Sequence, residues 1–365
     1  MRIHAHTTAL ATAAATVAAA LVLSACGSGS GGSGSGQGNF TVGVLLPGGG
    51  AGRFGAFDGP LIKQRIEKLC PDCKVQTVAA RDDPGVQQQQ INAMITGGVK
   101  VMVLAAVDAK AARASVIQAH QAGIPVVAYD RLADGPISGY VTFNGGEVGR
   151  LQGQGLLTAM SDRHRGNEIV MMNGSPTDPN AGWFKRGALS VLNGKAKIGR
   201  SYDTVDWQQS NAHANMASAI AELGASHVDG VLAANDNLAT GVISALKAAR
   251  VSPMPPVTGQ DADLIAVRRI VAGQQYMTVY KPFKTEAATA ADMAVALGRG
   301  QSISGIARTK VDNDTDKNIP SVLLTPISVT AGNVKDTLVK DGVYTVAQIC
   351  DPNLRAACAK VGLTG

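Results

Sequence analysis

Residues 101–131 read VMVLAAVDAKAARASVIQAHQAGIPVVAYDR, and this stretch decides the fold. Val101-Met102-Val103-Leu104-Ala105 is apolar at every position. A strand with one wet face alternates in polarity, whereas a strand of a parallel sheet is covered on both faces and does not. Ala109–Ala122 follows with apolar residues at helical spacing, and Pro125–Tyr129 is a second β-rich apolar run. Strand, helix and strand in this order form a βαβ unit. Its crossover is right-handed and lays the second strand parallel to the first.

The same alternation runs outward in both directions. β-rich runs recur at Phe40–Leu46, Val75–Val78, Gly139–Phe143, Glu168–Asn173, Gly230–Ala234 and Met277–Tyr280, with a further strand expected at Arg200–Thr204. Helical patterns lie at Asp58–Leu69, Gly85–Ile95, Val148–Met160, Asn211–Leu223, Leu238–Ala249 and Pro282–Leu297. About ten such units are more than one open sheet usually holds. The 365 residues allow two ordinary domains. The expected fold class is α/β, with two Rossmann-like, doubly wound parallel-sheet halves. The chain should exchange halves near Asn144 and again near Pro282.

In open parallel sheets, ligands bind beyond the carboxyl ends of the strands. There the sequence offers Arg53 and Phe54 after the first strand, Asp108 after Ala105, Asp130 and Arg131 after Tyr129, and Asp178 and Asn180 after Asn173. Asp206 and Trp207 follow Thr204, and Asn235 and Asp236 follow Ala234. Gln260, Asp261 and Asp263 follow Val257-Thr258, and Lys281 follows Tyr280. Each Asp or Asn taken alone is most simply an N-cap or a turn former. The collection says more. Asp accepts hydroxyl protons, Arg and Lys donate to hydroxyl oxygens, and Asn does both. With an aromatic face for C–H groups, that set suits a small neutral polyol. Its carboxylates would repel a phosphate.

Composition excludes several classes. With 45% hydrophobic residues, 16% charged residues and a mean hydropathy of +0.08, the chain can bury a sizeable core, which excludes wholesale disorder. The net charge of +6 is thinly spread. Its tight basic clusters, Arg163-His164-Arg165 and Arg268-Arg269, lack interleaved aromatics, which argues against a nucleic-acid partner. The six His form no ligand-spaced cluster, so neither metal nor cofactor is expected. A G-x-S-x-G elbow and a Walker loop are also missing.

The N-terminus reads as an address and a tether. Met1–Ala25 carries the single charge of Arg2 and then an Ala/Val/Leu-rich run, as a secretory signal does. It ends in Leu23-Ser24-Ala25-Cys26, which resembles the bacterial lipoprotein signal, with Cys26 as the lipidated residue. After residue 26 no apolar run is long enough to span a membrane. Gly27–Gly38 contains only Gly and Ser apart from one Gln, a flexible coil of roughly 17–21 Å end to end. Its Gly29-Ser30-Gly31-Gly32-Ser33-Gly34 matches a dinucleotide fingerprint by composition alone, with no strand before it and no helix after it. Four Cys remain beyond Cys26, and outside the cell they suggest disulfides. Three pairings are open; Cys70 with Cys73 and Cys350 with Cys358 is the simplest.

The run from Phe40 to about Gly342 resembles the periplasmic sugar-binding proteins of ABC transporters, their D-xylose binders most of all. The resemblance lies in Tyr129-Asp130-Arg131-Leu132, Gly174-Ser175-Pro176-Thr177-Asp178-Pro179-Asn180-Ala181, Ala234-Asn235-Asp236, Gly259-Gln260-Asp261-Ala262-Asp263-Leu264 and Met277-Thr278-Val279-Tyr280-Lys281-Pro282. It implies the type I periplasmic binding protein fold, two lobes joined by a three-stranded hinge. The lobes would be 40–144 with 282–322 and 145–281 with 323–342, leaving 343–365 as a disulfide-stapled tail. Arg131 would clamp sugar hydroxyls from the N-terminal lobe, and Asp178 and Asn180 from the C-terminal lobe. Trp207 would stack on the ring. Asn235, Asp261 and Lys281 would complete the cage, with Arg53 and Phe54 approaching from the first loop. One departure matters: sugar binders of this kind tend to carry acidic or polar residues after the first strand, where this chain has Pro47-Gly48-Gly49-Gly50. That loss could enlarge the pocket or change which hydroxyl is read.

The resemblance implies a monomeric, lipid-anchored receptor at the outer face of the cytoplasmic membrane that delivers a monosaccharide to an ABC permease, with no enzymatic activity. Two other readings compete. An exported glycosidase could use Asp261 with Asp178, a pair that would need a separation of about 5 or 6.5–9.5 Å. A sugar-sensing co-receptor could use the same closed form without a transport role.

Overall fold

In a computed structural model of the chain, the described residues are 38–48, 52–162 and 166–364. The expected signal segment, Cys26, nearly all of the tether, Gly49-Gly50 and Arg163-His164-Arg165 lie outside them.

Among the described residues the strands are β1 Thr41–Leu46, β2 Lys74–Ala79, β3 Val101–Leu104, β4 Val126–Tyr129, β5 Gly139–Phe143, β6 Glu168–Asn173, β7 Lys197–Asp203, β8 Gly230–Ala233, β9 Met277–Tyr280, β10 Thr309–Val311, β11 Ile319–Leu324 and β12 Ile327–Thr330. The helices are α1 Gly59–Leu69, α2 Pro84–Thr96, α3 Arg113–Gln121, α4 Gly145–Asp162, α5 Pro179–Leu192, α6 Gln209–Leu223, α7 Asp236–Ala248, α8 Leu264–Val271, α9 Phe283–Gly298, α10 Val346–Ile349 and α11 Arg355–Lys360. A π-helical turn, Phe54–Asp58, leads into α1. The expected helix at Ala109–Ala122 begins only at Arg113. Asp108 Oδ1 accepts from the Lys110 and Ala111 N–H groups, both at 2.9 Å, and closes a turn there first.

Strand order in the first sheet is β10-β11-β5-β4-β3-β1-β2, parallel throughout except between β10 and β11. Its inner strands β1, β3, β4 and β5 are buried on both faces because helices cover both. Val42, Val44, Val101 and Val103 pack with Ile62, Ala287 and Ala290, from α1 and α9. Leu45, Met102 and Leu104 pack the other way, with Ile91 and Met94 of α2 and Val116 of α3.

The second sheet is shorter, β7-β6-β8, all parallel. Val257-Thr258 makes a single parallel bridge, Val231 to Val257, rather than a full strand. Pro253, Pro255 and Pro256 precede it and have no N–H to give to a ladder. Backbone bonds still carry the layer onward, Thr258 N to Val231 O at 3.1 Å and Tyr276 N to Val257 O at 2.9 Å, and β9 then pairs antiparallel with β12. The chain passes from the first sheet to the second after β5 and returns through α9, which packs on β3, β4 and β5. It divides once more at β11, beside β5, and β12, beside β9.

Helices α4 and α5 cross closely. A Cβ at Gly149 would fall 1.9 Å from the Phe184 carbonyl oxygen, so only glycine permits the crossing that places Phe184. The disulfides are Cys70–Cys73 and Cys350–Cys358.

Candidate functional site

The carboxyl ends of the two sets of strands face one small cavity. Arg53, Phe54, Arg131, Asp178, Asn180, Trp207, Asn235, Asp261 and Lys281 all line it. None is more than 7% exposed. Asp130, Phe184 and Gln260 complete the wall.

Each side chain is placed by the element beside it. Asp178 is the N-cap of α5, its Oδ1 accepting from Asn180 N at 2.9 Å. Asn235 caps α7 by accepting from Leu238 N at 2.9 Å. Capping and facing the cavity are therefore compatible roles, because a cap uses one side-chain oxygen and leaves the other polar atom free. Asp178 Oδ2 takes the Arg131 guanidinium at 2.8 Å and the Trp207 Nε1–H at 3.2 Å. A Cβ on Gly174 would lie 2.1 Å from Trp207 Cη2, so the indole rests directly on that glycine. Asn180 Nδ2 donates to the Asp130 carbonyl oxygen at 2.9 Å and to its Oδ1 at 3.2 Å. The Arg53 and Arg131 guanidinium carbons lie 5.2 and 5.5 Å from the Phe54 ring centre, and Lys281 Nζ lies 5.6 Å from that of Phe184.

Charges balance inside the wall: Arg53, Arg131 and Lys281 against Asp130, Asp178 and Asp261. Lys281 Nζ lies 3.0 Å from Asp261 Oδ1 and 3.5 Å from Asp130 Oδ2. Burial would raise the Asp130 carboxyl, but Lys281, Arg53 and Arg131 together hold it below its ordinary range. Burial raises Asp178, and Arg131 only partly opposes this. For Lys281, burial is outweighed by Asp130 and Asp261, and the ammonium is held above its ordinary value.

A second layer lies behind the wall. Arg53 donates from Nε to Asp58 at 3.0 Å, and from Nη2 to Asp130 at 3.1 Å and Glu286 at 2.6 Å. Tyr129 Oη donates to Asp58. Burial pushes Asp58 up to about 6 despite Arg53, and Glu286 well above its ordinary value. Arg53 Nη1 and Gln260 Oε1 are buried, with no hydrogen-bond partner among the described residues. The wall thus holds a spare donor and a spare acceptor in a neutral, partly aromatic enclosure. Such an enclosure can saturate hydroxyl groups.

Sequence reasoning offered Asp130 and Gln260 among the strand-end residues without carrying them into the cage, and it missed Phe184, Asp58 and Glu286. Phe184 lies four residues beyond Asn180, on the same face of α5, and that spacing was its signal.

Residues 42–302 match the family described as periplasmic binding protein domain. The chain belongs to the periplasmic binding protein family. A D-xylose-binding periplasmic protein of Escherichia coli (strain K12) is 39% identical over 298 residues, 80% of this chain and 87% of that one. A multiple sugar-binding periplasmic protein of Azospirillum brasilense is 35% identical over 329 residues, 84% of this chain and 90% of that one. An ABC transporter solute binding protein from Clostridium phytofermentans, solved with bound β-D-glucose, matches with a TM-score of 0.76 and 29% identity, over 85% of this chain and 99% of that one. The family's members are binders of solutes, and this periplasmic binding protein is likewise not an enzyme. Among its described residues no helix is long and apolar enough to cross a membrane.

Proposed function

We propose that the protein captures an uncharged monosaccharide, D-xylose or a related pentose or hexose, and delivers it to an ABC sugar permease. The observation that carries this reading is the cavity itself, where buried donors and acceptors from both sheets converge without net charge. An aromatic face on Trp207 would cover the C–H side of the ring. Arg131, Asp178, Asn180, Asn235, Asp261, Lys281, Arg53 and Phe54 would read its hydroxyls and edges. The names of the relatives support the class of ligand.

Two lobes, 40–144 with 282–322 and 145–281 with 323–342, would close on the sugar by a hinge motion. Interactions that form only in the closed state set how far the population shifts. A micromolar affinity is about −8 kcal/mol, or about −0.8 kcal/mol per heavy atom for a pentose, so nearly every hydroxyl must be satisfied. Lipid on Cys26 would hold the receptor at the outer face of the cytoplasmic membrane, where more than one acyl chain anchors stably.

A thermal-shift screen against about twenty monosaccharides tests the ligand, because a compound bound only by the native form raises the melting point. A pentose or hexose that raises it, followed by calorimetric binding, supports the reading. A panel in which none does ends it. Membrane fractionation of the wild type and Cys26→Ser tests the anchor: the variant should leave the membrane fraction.

A further inference from the structure

We propose that the C-terminal segment 343–363 is a strap, and that Tyr344 within it positions the loop Gln260–Asp263 and the Asp261 carboxylate for ligand. This rests on reading the cavity as a monosaccharide site, and it adds a residue outside the cavity wall and outside the region 42–302 that matches the family.

The loop is strained. Asp261 has φ 91° and Ala262 φ 56°, both in the left-handed region that L-residues adopt only where their surroundings impose it. Three bonds impose it from β9 and the start of α7: Asp261 N to Val279 O at 2.9 Å, Ala262 N to Thr278 Oγ1 at 3.1 Å and Asp263 N to Asp236 Oδ2 at 2.9 Å. The fourth comes from the strap. Tyr344 Oη donates to the Ala262 carbonyl oxygen at 3.1 Å, fixing the peptide between Ala262 and Asp263, one residue beyond Asp261. Burial and the nearby Asp263 and Asp236 raise the pKa of that hydroxyl, which therefore stays a donor at any ordinary pH.

Tyr344 is itself fixed from the other wall. Its ring meets Phe57 edge-on at 6.0 Å, and Phe57 stacks on Phe283 at 4.7 Å. Phe57 lies in the π-helical turn beside Arg53 and Phe54. One phenol thus touches the supports of both sides of the cavity. The rest of the strap is tied down at intervals. Arg268 of α8 donates from Nε and Nη2 to the Gln348 carbonyl oxygen at 3.0 and 2.6 Å. The Cys350–Cys358 disulfide closes the segment, and Leu363 is buried beyond it.

Tyr344→Phe tests the role, because it keeps the ring and removes only the hydroxyl. Calorimetry with the sugar that the wild type binds best should show about tenfold weaker binding. Hydrogen exchange at the amides of 260–264 should speed up in the unliganded variant. A merely structural tyrosine would lower the melting point and leave both readouts unmoved; wild-type affinity, or wild-type exchange, overturns the proposal. Should the wild type bind no sugar, the proposed function fails on its own and the exchange measurement still decides the strap. Arg268→Ala loosens the strap from the surface. It should move both readouts the same way by a smaller factor, which keeps the test decisive if Tyr344→Phe does not fold.

Discussion

Arg131 Nε lies 2.8 Å from Asp178 Oδ2, joining the end of a strand in the first sheet to the helix cap that follows a strand in the second. Both groups are buried, and Trp207 shares the same carboxylate oxygen. A charge pair taken out of water this far is held by its partners, and it leaves an uncompensated charge when one is removed.

Arg131→Ala and Asp261→Ala should therefore each weaken sugar binding at least tenfold while leaving the fold intact, since a lost partner leaves a buried polar group unpaired at about 1–3 kcal/mol. Isothermal titration measures the affinity and circular dichroism the fold. Wild-type affinity in either variant would remove that residue from the site.

Gly174→Ala should act on the same site without touching a polar group. The added methyl would overlap Trp207 at Cη2, so the indole must leave its place beside Asp178 and Phe184. We expect weaker sugar binding and an altered tryptophan emission spectrum. Emission and affinity both unchanged would show that the ring does not depend on this glycine.

The strand-end rule made most of the cavity wall legible, because a parallel sheet exposes its ligand side wherever a strand stops. Arg131, Asp178, Asn235 and Lys281 follow their strands within a few residues, and the structure brings them together. What supports them was not legible. Glu286 reads as an ordinary helix charge, yet it is 0% exposed because α9 packs against the first sheet beneath Arg53. Asp263 reads as a helix cap, but its side chain makes no capping bond. Tyr344 is separated from Ala262 by eighty-two positions, and no local pattern can announce a contact that only the closed fold creates.

Acidity should expose that hidden layer. Burial, with Asp261 next, pushes Asp263 up to about 6. The native state then binds more protons than the unfolded chain between about pH 4 and 6, so this group's stabilising contribution is full below about pH 4 and is lost as pH rises through about 6. Asp263→Asn removes the buried charge, and its repulsion with Asp261, that appears as pH rises to neutral. The variant should melt higher than wild type at pH 7.5, and the gap should close towards pH 4. A gap that widens on acidification would give the wrong sign and refute the account.

The buried cluster around Arg53 gives a sharper contrast. Asp58, Asp130 and Glu286 all converge on one guanidinium that is 2% exposed. Arg53→Ala strands those carboxyls without a cation, and breaking a buried pair in this way costs about 3–5 kcal/mol. Glu286→Gln should be nearly silent at pH 7. Burial raises Glu286 well above its ordinary value and so favours its neutral carboxyl, which the amide matches in charge and volume. Urea unfolding of both variants separates the cases. A Glu286→Gln loss as large as that of Arg53→Ala would mean that the carboxyl is ionised in the folded protein and that the cluster is held by full charges on both sides.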